Sequence, residues 1–175
     1  MSMTINRDIP SDLAYDFKQA MRRLTSSVSI ITTSDDEIYY GMVATAVNAV
    51  CMSPPSILIS VNESASLLRP LLKKARFTVN VLDISQHGLI STFSDKNKRA
   101  ERFNYGIWSE FEGLPILCDS QASLVCSIDQ QIKYGSHVIV IGKVEMVIVA
   151  ENISPLLWQD GKPAASVPFI SSAIL

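Results

Sequence analysis

The segment from Ser136 to Val149 does most to limit what this chain can fold into. Its run Val138-Ile139-Val140-Ile141 is apolar on both faces, the pattern of a strand covered twice. Past Gly142, Val144, Met146 and Ile148 alternate with Lys143 and Glu145, which returns one face to solvent or to a polar contact. Ala122 to Ile132 carries a second β signal just upstream. Further strands are expected from Val28 to Thr33, across a turn at Ser34-Asp35-Asp36 into a long return run from Ile38 to Met52, then from Ile57 to Val61 and from Phe77 to Ile84. Gly41 predicts a bulge or bend in the return run, and Pro54-Pro55 ends it.

Helical spacing is confined to three places. Ser11 precedes Leu13, Phe17, Met21 and Leu24, an amphipathic helix. Ala65 to Lys74 offers Leu67, Leu68, Leu71 and Leu72 for burial, with Pro70 marking a kink or a boundary. Ser85 to Phe93 runs into a charged stretch, Asp95 to Arg102, expected on the surface. Strands outnumber helices and many connections are short, so the expected fold is mainly β: a closed antiparallel barrel with peripheral helices. A parallel doubly wound sheet is disfavoured.

The 175 residues read as one domain, 1–175, with about residues 1–10 as a flexible N-terminus. With 47% hydrophobic and 18% charged residues the chain falls outside the disordered classes. A net charge of −2 is too balanced for a nucleic-acid partner. No uncharged apolar run of about 18 residues exists to span a bilayer. Cys51, Cys118 and Cys126 form no CxxC or disulfide spacing, which fits a reducing cytoplasm. Two histidines, His87 and His137, are too few for a catalytic zinc site, and no metal is expected. All seven glycines lie at least seven residues apart, so neither a GxGxxG turn nor a phosphate loop is present. A GxSxG elbow is absent too.

Several residues carry two readings each. The small residues Ala44, Thr45 and Ala46 let backbone N–H groups approach a ligand, or serve a tight barrel strand. Ser64 or Ser66 ahead of a helix suits an anion, or simply caps the helix. Asn80, between Val79 and Val81, needs partners for its amide, from a ligand or from the barrel backbone. Lys96, Lys98, Arg99 and Arg102 form a solvated face or supply a phosphate cation. His137 follows Gly135 and opens an apolar strand, which puts an imidazole at the barrel rim. Trp158 closes the core or flanks a ligand.

Taken together, five pieces in order resemble a known family. Gly41 to Val50 with Ser53-Pro54-Pro55-Ser56-Ile57-Leu58 is similar to a "GMTAxSxxSVSxxPPLxL" motif. Phe17 to Leu24 resembles "FRxAMxxL", Arg76 to Leu82 "xFxVNVL", Glu101-Arg102-Phe103 "xRF", and Gly135-Ser136-His137 with Ile141 to Val144 "GDHxIxIGEV". The likeness spans about residues 17 to 158 and identifies the chain as a member of the flavin reductase-like family. The resemblance implies an FMN-binding split β-barrel, antiparallel and Greek-key-like. It also implies a homodimer in which NADH or NADPH reduces FMN or FAD by hydride transfer to flavin N5, and reduced flavin passes to a partner monooxygenase. The chain resembles the small reductase component of hydroxyphenylacetate hydroxylation.

By the same resemblance Val43, Ala44, Thr45, Ala46 and Val47 line the flavin edge, with Ser60, Asn62, Ser64 and Ser66 on the phosphate side. Asn80, Val81, Phe93, Ser94, Arg102 and Trp158 lie near the flavin, and His137 orients the nicotinamide. Val43, Ser136 and Lys143 depart from the motifs, standing where Thr, an acidic residue and Glu are usual. The chain after Gly161 also lacks an aromatic-basic pair. A noncatalytic flavin-binding or electron-carrier barrel is the alternative function, and a barrel that has lost its ligand is a third.

Overall fold

A computed structural model describes residues 12–167. The expected flexible segment 1–10 and the proposed cap Ser11 lie outside the described residues. Helix α1 (Leu13–Met21) is instead capped by Asp12, whose carboxylate accepts from the Ala14 N–H at 3.0 Å. Two-residue β1 (Ser26–Ser27) follows. The hairpin of β2 (Ser29–Asp35) and β3 (Ile38–Ala44) turns at Asp36 and Glu37, both with positive φ. The return run then breaks: Thr45-Ala46 separates β3 from β4 (Val47–Met52), and β5 (Pro55–Asn62) comes back beside β4.

Helix α2 (Leu68–Lys74) starts two residues before Pro70, so the proline sits in the first turn, where its missing N–H costs nothing. No kink is needed. Leu67 and Leu71, one turn apart, are buried. Strand β6 (Arg76–Val81) leads to a 3₁₀ turn at Ile84–Gln86 and to α3 (Leu89–Ser94). Ile84 therefore belongs to the turn and not to the strand. Strands β7 (Trp108–Phe111) and β8 (Leu114–Leu117) form a small ribbon. The long β9 (Ala122–Tyr134) and β10 (His137–Val149) make a hairpin, and β11 (Leu156–Gln159) and β12 (Lys162–Ala165) close the described chain.

Seven strands form one antiparallel sheet in the order β3-β2-β6-β9-β10-β5-β4. Strands β3 and β4 are its two edges, yet only Thr45 and Ala46 separate them in the chain. Laid flat, seven strands would hold the edges about 29 Å apart, whereas a dipeptide bridges about 10 Å. The sheet must curl until its edges nearly meet. No ladder joins β3 to β4 among the described residues, so the barrel is split along that seam.

Ile31, Ile59, Val61, Phe77, Val79 and Val140 fill the interior and are fully buried. A Cβ on Gly142 would stand 2.5 Å from the Phe77 ring, so this glycine makes room for the largest interior side chain. Gly41 plays the same part for Phe93, whose Cε1 would lie 2.6 Å from an added Cβ. The bulge expected at Gly41 is not there: β2 and β3 pair without interruption from Ser29↔Ala44 to Asp35↔Ile38. The irregularity in the return run falls between Ala49 and Cys51.

The expected first helix is present, and one further expectation, for β10, is corrected. The apolar stripe of α1 is left largely uncovered by the described residues, with Leu13 80% and Phe17 61% exposed and no residue of the helix buried. In β10, Val138 and Val140 are buried while Ile139 and Ile141 are only half-buried, so within one chain that strand is covered on one face.

Candidate functional site

A cleft of about 210 Å³ opens at the split seam. Strand β5 runs three residues beyond its last rung with β4, Val47↔Ile59. Its final residue, Asn62, lines the cleft together with Met42 and Val43 of β3. The Asn62 carboxamide oxygen accepts from the Ser64 N–H (2.9 Å) and the Ser64 hydroxyl (2.7 Å). This side-chain turn swings the chain toward α2. The helix is capped by Leu67 with no side-chain hydrogen bond, so neither Ser64 nor Ser66 is the expected cap. Both serines face the cleft instead.

The opposite wall comes from the end of α3 and the segment after it. Phe93, 1% exposed, is boxed between Gly41, Phe103 (ring centroids 5.5 Å apart) and Trp108 (5.6 Å). Ser94, Lys96, Arg99 and Arg102 complete the wall. The expected surface position of Arg102 is overturned, because its side chain is buried. Its guanidinium donates to the carbonyls of Gly41 (2.6 Å), Asp95 (3.0 Å) and Thr92 (3.4 Å), which ties β3 to the loop after α3. Burial first, and then the neighbouring Arg99 charge, pushes its pKa below the ordinary value.

Lys96 and Arg99 are exposed and form no ion pair among the described residues. The hydroxyls of Ser66 and Ser94 likewise have no hydrogen-bond partner there. Lys98 points to a different hollow, beside Gln86, Ser91 and Tyr105. The mouth of the seam thus carries two cations without ion-pair partners among the described residues beside two hydroxyls without hydrogen-bond partners there, chemistry that suits an anion.

Val43, Asn62, Ser64, Ser66, Phe93, Ser94 and Arg102 thus come together in one cleft. The other expected residues fall elsewhere. His137 is the Cα partner of Asn62 across β10 and β5, one strand away from the cleft wall, with Nδ1 3.0 Å from the Ser136 hydroxyl. Ala44, Thr45, Ala46 and Val47 carry the chain across the seam just past Val43, and the Ser60 N–H donates to the Ala46 carbonyl at 3.2 Å.

Asn80 is fully buried, with its amide spent inside the barrel. Nδ2 donates to the Ile30 carbonyl (3.1 Å) and the Thr32 hydroxyl (3.2 Å), and Oδ1 accepts from the Leu117 N–H and the Ser123 hydroxyl, both at 2.9 Å. Val81, next to it in the chain, pairs with Ser29 and Ala122 and does not line the cleft. Trp158 pairs with Ser26 and lines a separate hollow with Met21 and Arg22.

Sequence reasoning missed Met42, Ala65 and Leu67 as cleft walls. Only the neighbours Val43, Ser64 and Ser66 hinted at them. Cys126 is no nucleophile, since burial pushes its thiol up to about 12.

A curled antiparallel barrel, split at one seam, holds a serine-lined cationic cleft there. Comparison with known proteins supplies the class: the chain belongs to the flavin reductase-like family, whose model, "Flavin reductase like domain", matches residues 21–165. It is 34% identical over 167 residues to the FADH(2)-dependent resorcinol hydroxylase reductase component of Rhizobium sp. strain MTP-10005, covering 94% of this chain and 93% of that one. It is 36% identical over 146 residues to the FMN reductase (NADH) RutF of Yersinia enterocolitica, covering 83% and 80%. Among solved structures, flavin reductase PheA2 superposes with a TM-score of 0.81 at 27% identity, covering 90% of this chain and all of that one. No helix among the described residues is long and apolar enough to cross a membrane.

Proposed function

We propose that this chain is an NAD(P)H:flavin oxidoreductase that binds FMN or FAD in the seam cleft and supplies reduced flavin to a flavin-dependent monooxygenase. One observation carries the reading: Lys96 and Arg99, without ion-pair partners among the described residues, stand beside the Ser66 and Ser94 hydroxyls, likewise unpartnered there, at the open seam of a flavin reductase-like barrel. Those four residues fit a flavin phosphate. The backbone from Val43 to Ala46, carrying no large side chain past Val43, suits the polar edge of a flat ring. Bound flavin supplies the redox chemistry, so the protein needs no acid–base pair for hydride transfer.

The relatives' names point to NADH as the reductant and to hydroxylases as acceptors of reduced flavin. His137, opposite Asn62, orients the nicotinamide and moves no proton. Phe93 forms a rigid floor, and Arg102 holds the two cleft walls at fixed spacing. The whole chain acts as one such domain.

Two copies form the working unit. The largely uncovered stripe of α1 and the apolar tail Val147-Ile148-Val149 of β10, whose three residues are each about half exposed or more, give a second copy apolar surface to bury. Three free cysteines suit a reducing, cytoplasmic compartment.

The test mixes purified protein with FMN or FAD and with NADH or NADPH, and follows the nicotinamide absorbance. Flavin-dependent turnover supports the reading. A yellow protein without turnover supports a noncatalytic flavin carrier, and a colourless, inert one a barrel without this ligand.

A further inference from the structure

We propose that a second cavity, across α3 from the seam, is a binding site for a flat aromatic carboxylate. Its volume is about 500 Å³, against about 210 Å³ for the seam cleft, and the two share no lining residue. Helix α3 and the segment after it form the partition. Thr92 and Lys98 line the new cavity, whereas their chain neighbours Phe93 and Arg99 line the seam. A void of this size falls in the range of small-molecule sites and far exceeds the roughly 30 Å³ that one water occupies.

The ligand's chemistry follows from which polar groups around the cavity are left unspent. The Ser85 hydroxyl donates to the Asp83 carboxylate (2.7 Å), and the Ser91 hydroxyl to the Gly88 carbonyl (3.0 Å). The Gln86 amide donates to the Cys118 carbonyl (2.9 Å) and accepts from the Asp83 N–H (3.0 Å). Three groups remain. Thr92 is only 5% exposed, yet its hydroxyl has no hydrogen-bond partner among the described residues and, unlike those of Ser29 and Thr78, is not sealed off from the cavity. A hydroxyl so deeply placed gains from a partner that enters beside it. The Tyr105 hydroxyl is likewise unpartnered there, while the carbonyl of the same residue accepts from Trp108 Nε1 at 2.8 Å and anchors the backbone. Lys98 is the single charged side chain in the lining and forms no ion pair among the described residues. One cation with no carboxylate facing it selects a singly charged anion, in contrast to the two cations at the seam. Between these groups the surface is apolar and flat. Leu89 forms the floor, and Gly88 and Gly106 bring no side chain, so a ring can lie between Leu89 and the Tyr105 ring.

The probe is 2-naphthoate, with 2-naphthamide as its uncharged counterpart, each titrated into the purified protein by isothermal calorimetry. Wild type should bind one 2-naphthoate per chain, and 2-naphthamide at least about tenfold more weakly. Lys98→Gln should weaken 2-naphthoate about tenfold and Thr92→Val several-fold, each with an unaltered thermal unfolding midpoint. Gly88→Phe should abolish binding by filling the cavity, since a Cβ at Gly88 meets nothing within 4 Å. The seam variant Lys96→Gln/Arg99→Gln should bind 2-naphthoate as wild type does. The proposal is overturned if wild type binds no 2-naphthoate at millimolar concentration, or if the two ligands bind alike. It is equally overturned if the seam variant loses binding while Lys98→Gln keeps it, because the anion would then sit at the seam. None of these readouts involves flavin, so failure here leaves the flavin reading untouched.

Discussion

Replacing Asn80 with leucine separates a structural amide from a flavin-binding one. The two side chains are similar in size, so the change mainly removes hydrogen bonds. Four are lost, but two partners have somewhere else to turn: the Thr32 hydroxyl already donates to the Pro115 carbonyl at 2.6 Å, and the Ser123 hydroxyl lies 2.9 Å from that of Ser120. The buried Leu117 N–H loses its side-chain acceptor, and the Ile30 carbonyl loses a donor. One unsatisfied donor and one weakened acceptor in the interior cost about 3 kcal/mol together. With a urea m-value of about 2 kcal/mol/M, the unfolding midpoint should fall by about 1.5 M. The assay is urea unfolding followed by circular dichroism, paired with FMN titration in the absence of urea. FMN affinity should stay at the wild-type level. An unchanged midpoint together with weakened FMN binding would refute the structural role and return Asn80 to the flavin.

Gly41→Ala should cost about 1–3 kcal/mol, because its new methyl meets a Phe93 ring that Phe103 and Trp108 hold in place. Adding Phe93→Leu should recover part of that loss in thermal unfolding. His137→Ala should raise KM for NADH several-fold, by about 1 kcal/mol of lost positioning, with FMN affinity unaltered in a fluorescence titration. Asp83 accepts from the Ser85 N–H (2.8 Å), the Ser85 hydroxyl and Gln121, and these bonds hold its carboxyl below the usual range. Its contribution is therefore complete above the ordinary carboxylate pKa and disappears as pH falls through the depressed value. Urea midpoints of wild type and Asp83→Asn should differ at neutral pH and converge in acid.

The barrel was legible because its strands announce themselves through β-branched runs and short polar turns. Hairpins β2–β3 and β9–β10 fall where the patterns put them. What one strand's pattern cannot reveal is its neighbour. Gly41 looked like a bend because nothing local mentions Phe93, fifty-two positions downstream. Arg102 looked exposed because it ends a charge run, whereas the 3₁₀ turn at Arg102–Asn104 rotates it inward onto the carbonyls of Gly41 and Asp95. Serines 64 and 66 line the cleft, but the helix-cap reading of them does not hold. They reach the cleft through the Asn62 turn and not as caps, since α2 begins later than its leucine spacing suggests. In α1 the stripe was readable from Leu13 to Leu24, but periodicity only says that a face needs covering and is silent about what covers it.

Neutralising the cations at the seam bears most directly on the whole account. FMN and riboflavin share the ring and ribityl chain and differ by the phosphate, so each is titrated into wild type and into Lys96→Gln/Arg99→Gln by fluorescence quenching. The double variant should bind FMN at least about tenfold more weakly, with riboflavin affinity and thermal stability unchanged. Undiminished FMN binding, or equal weakening of both ligands, would contradict a flavin phosphate held between Ser66, Ser94, Lys96 and Arg99.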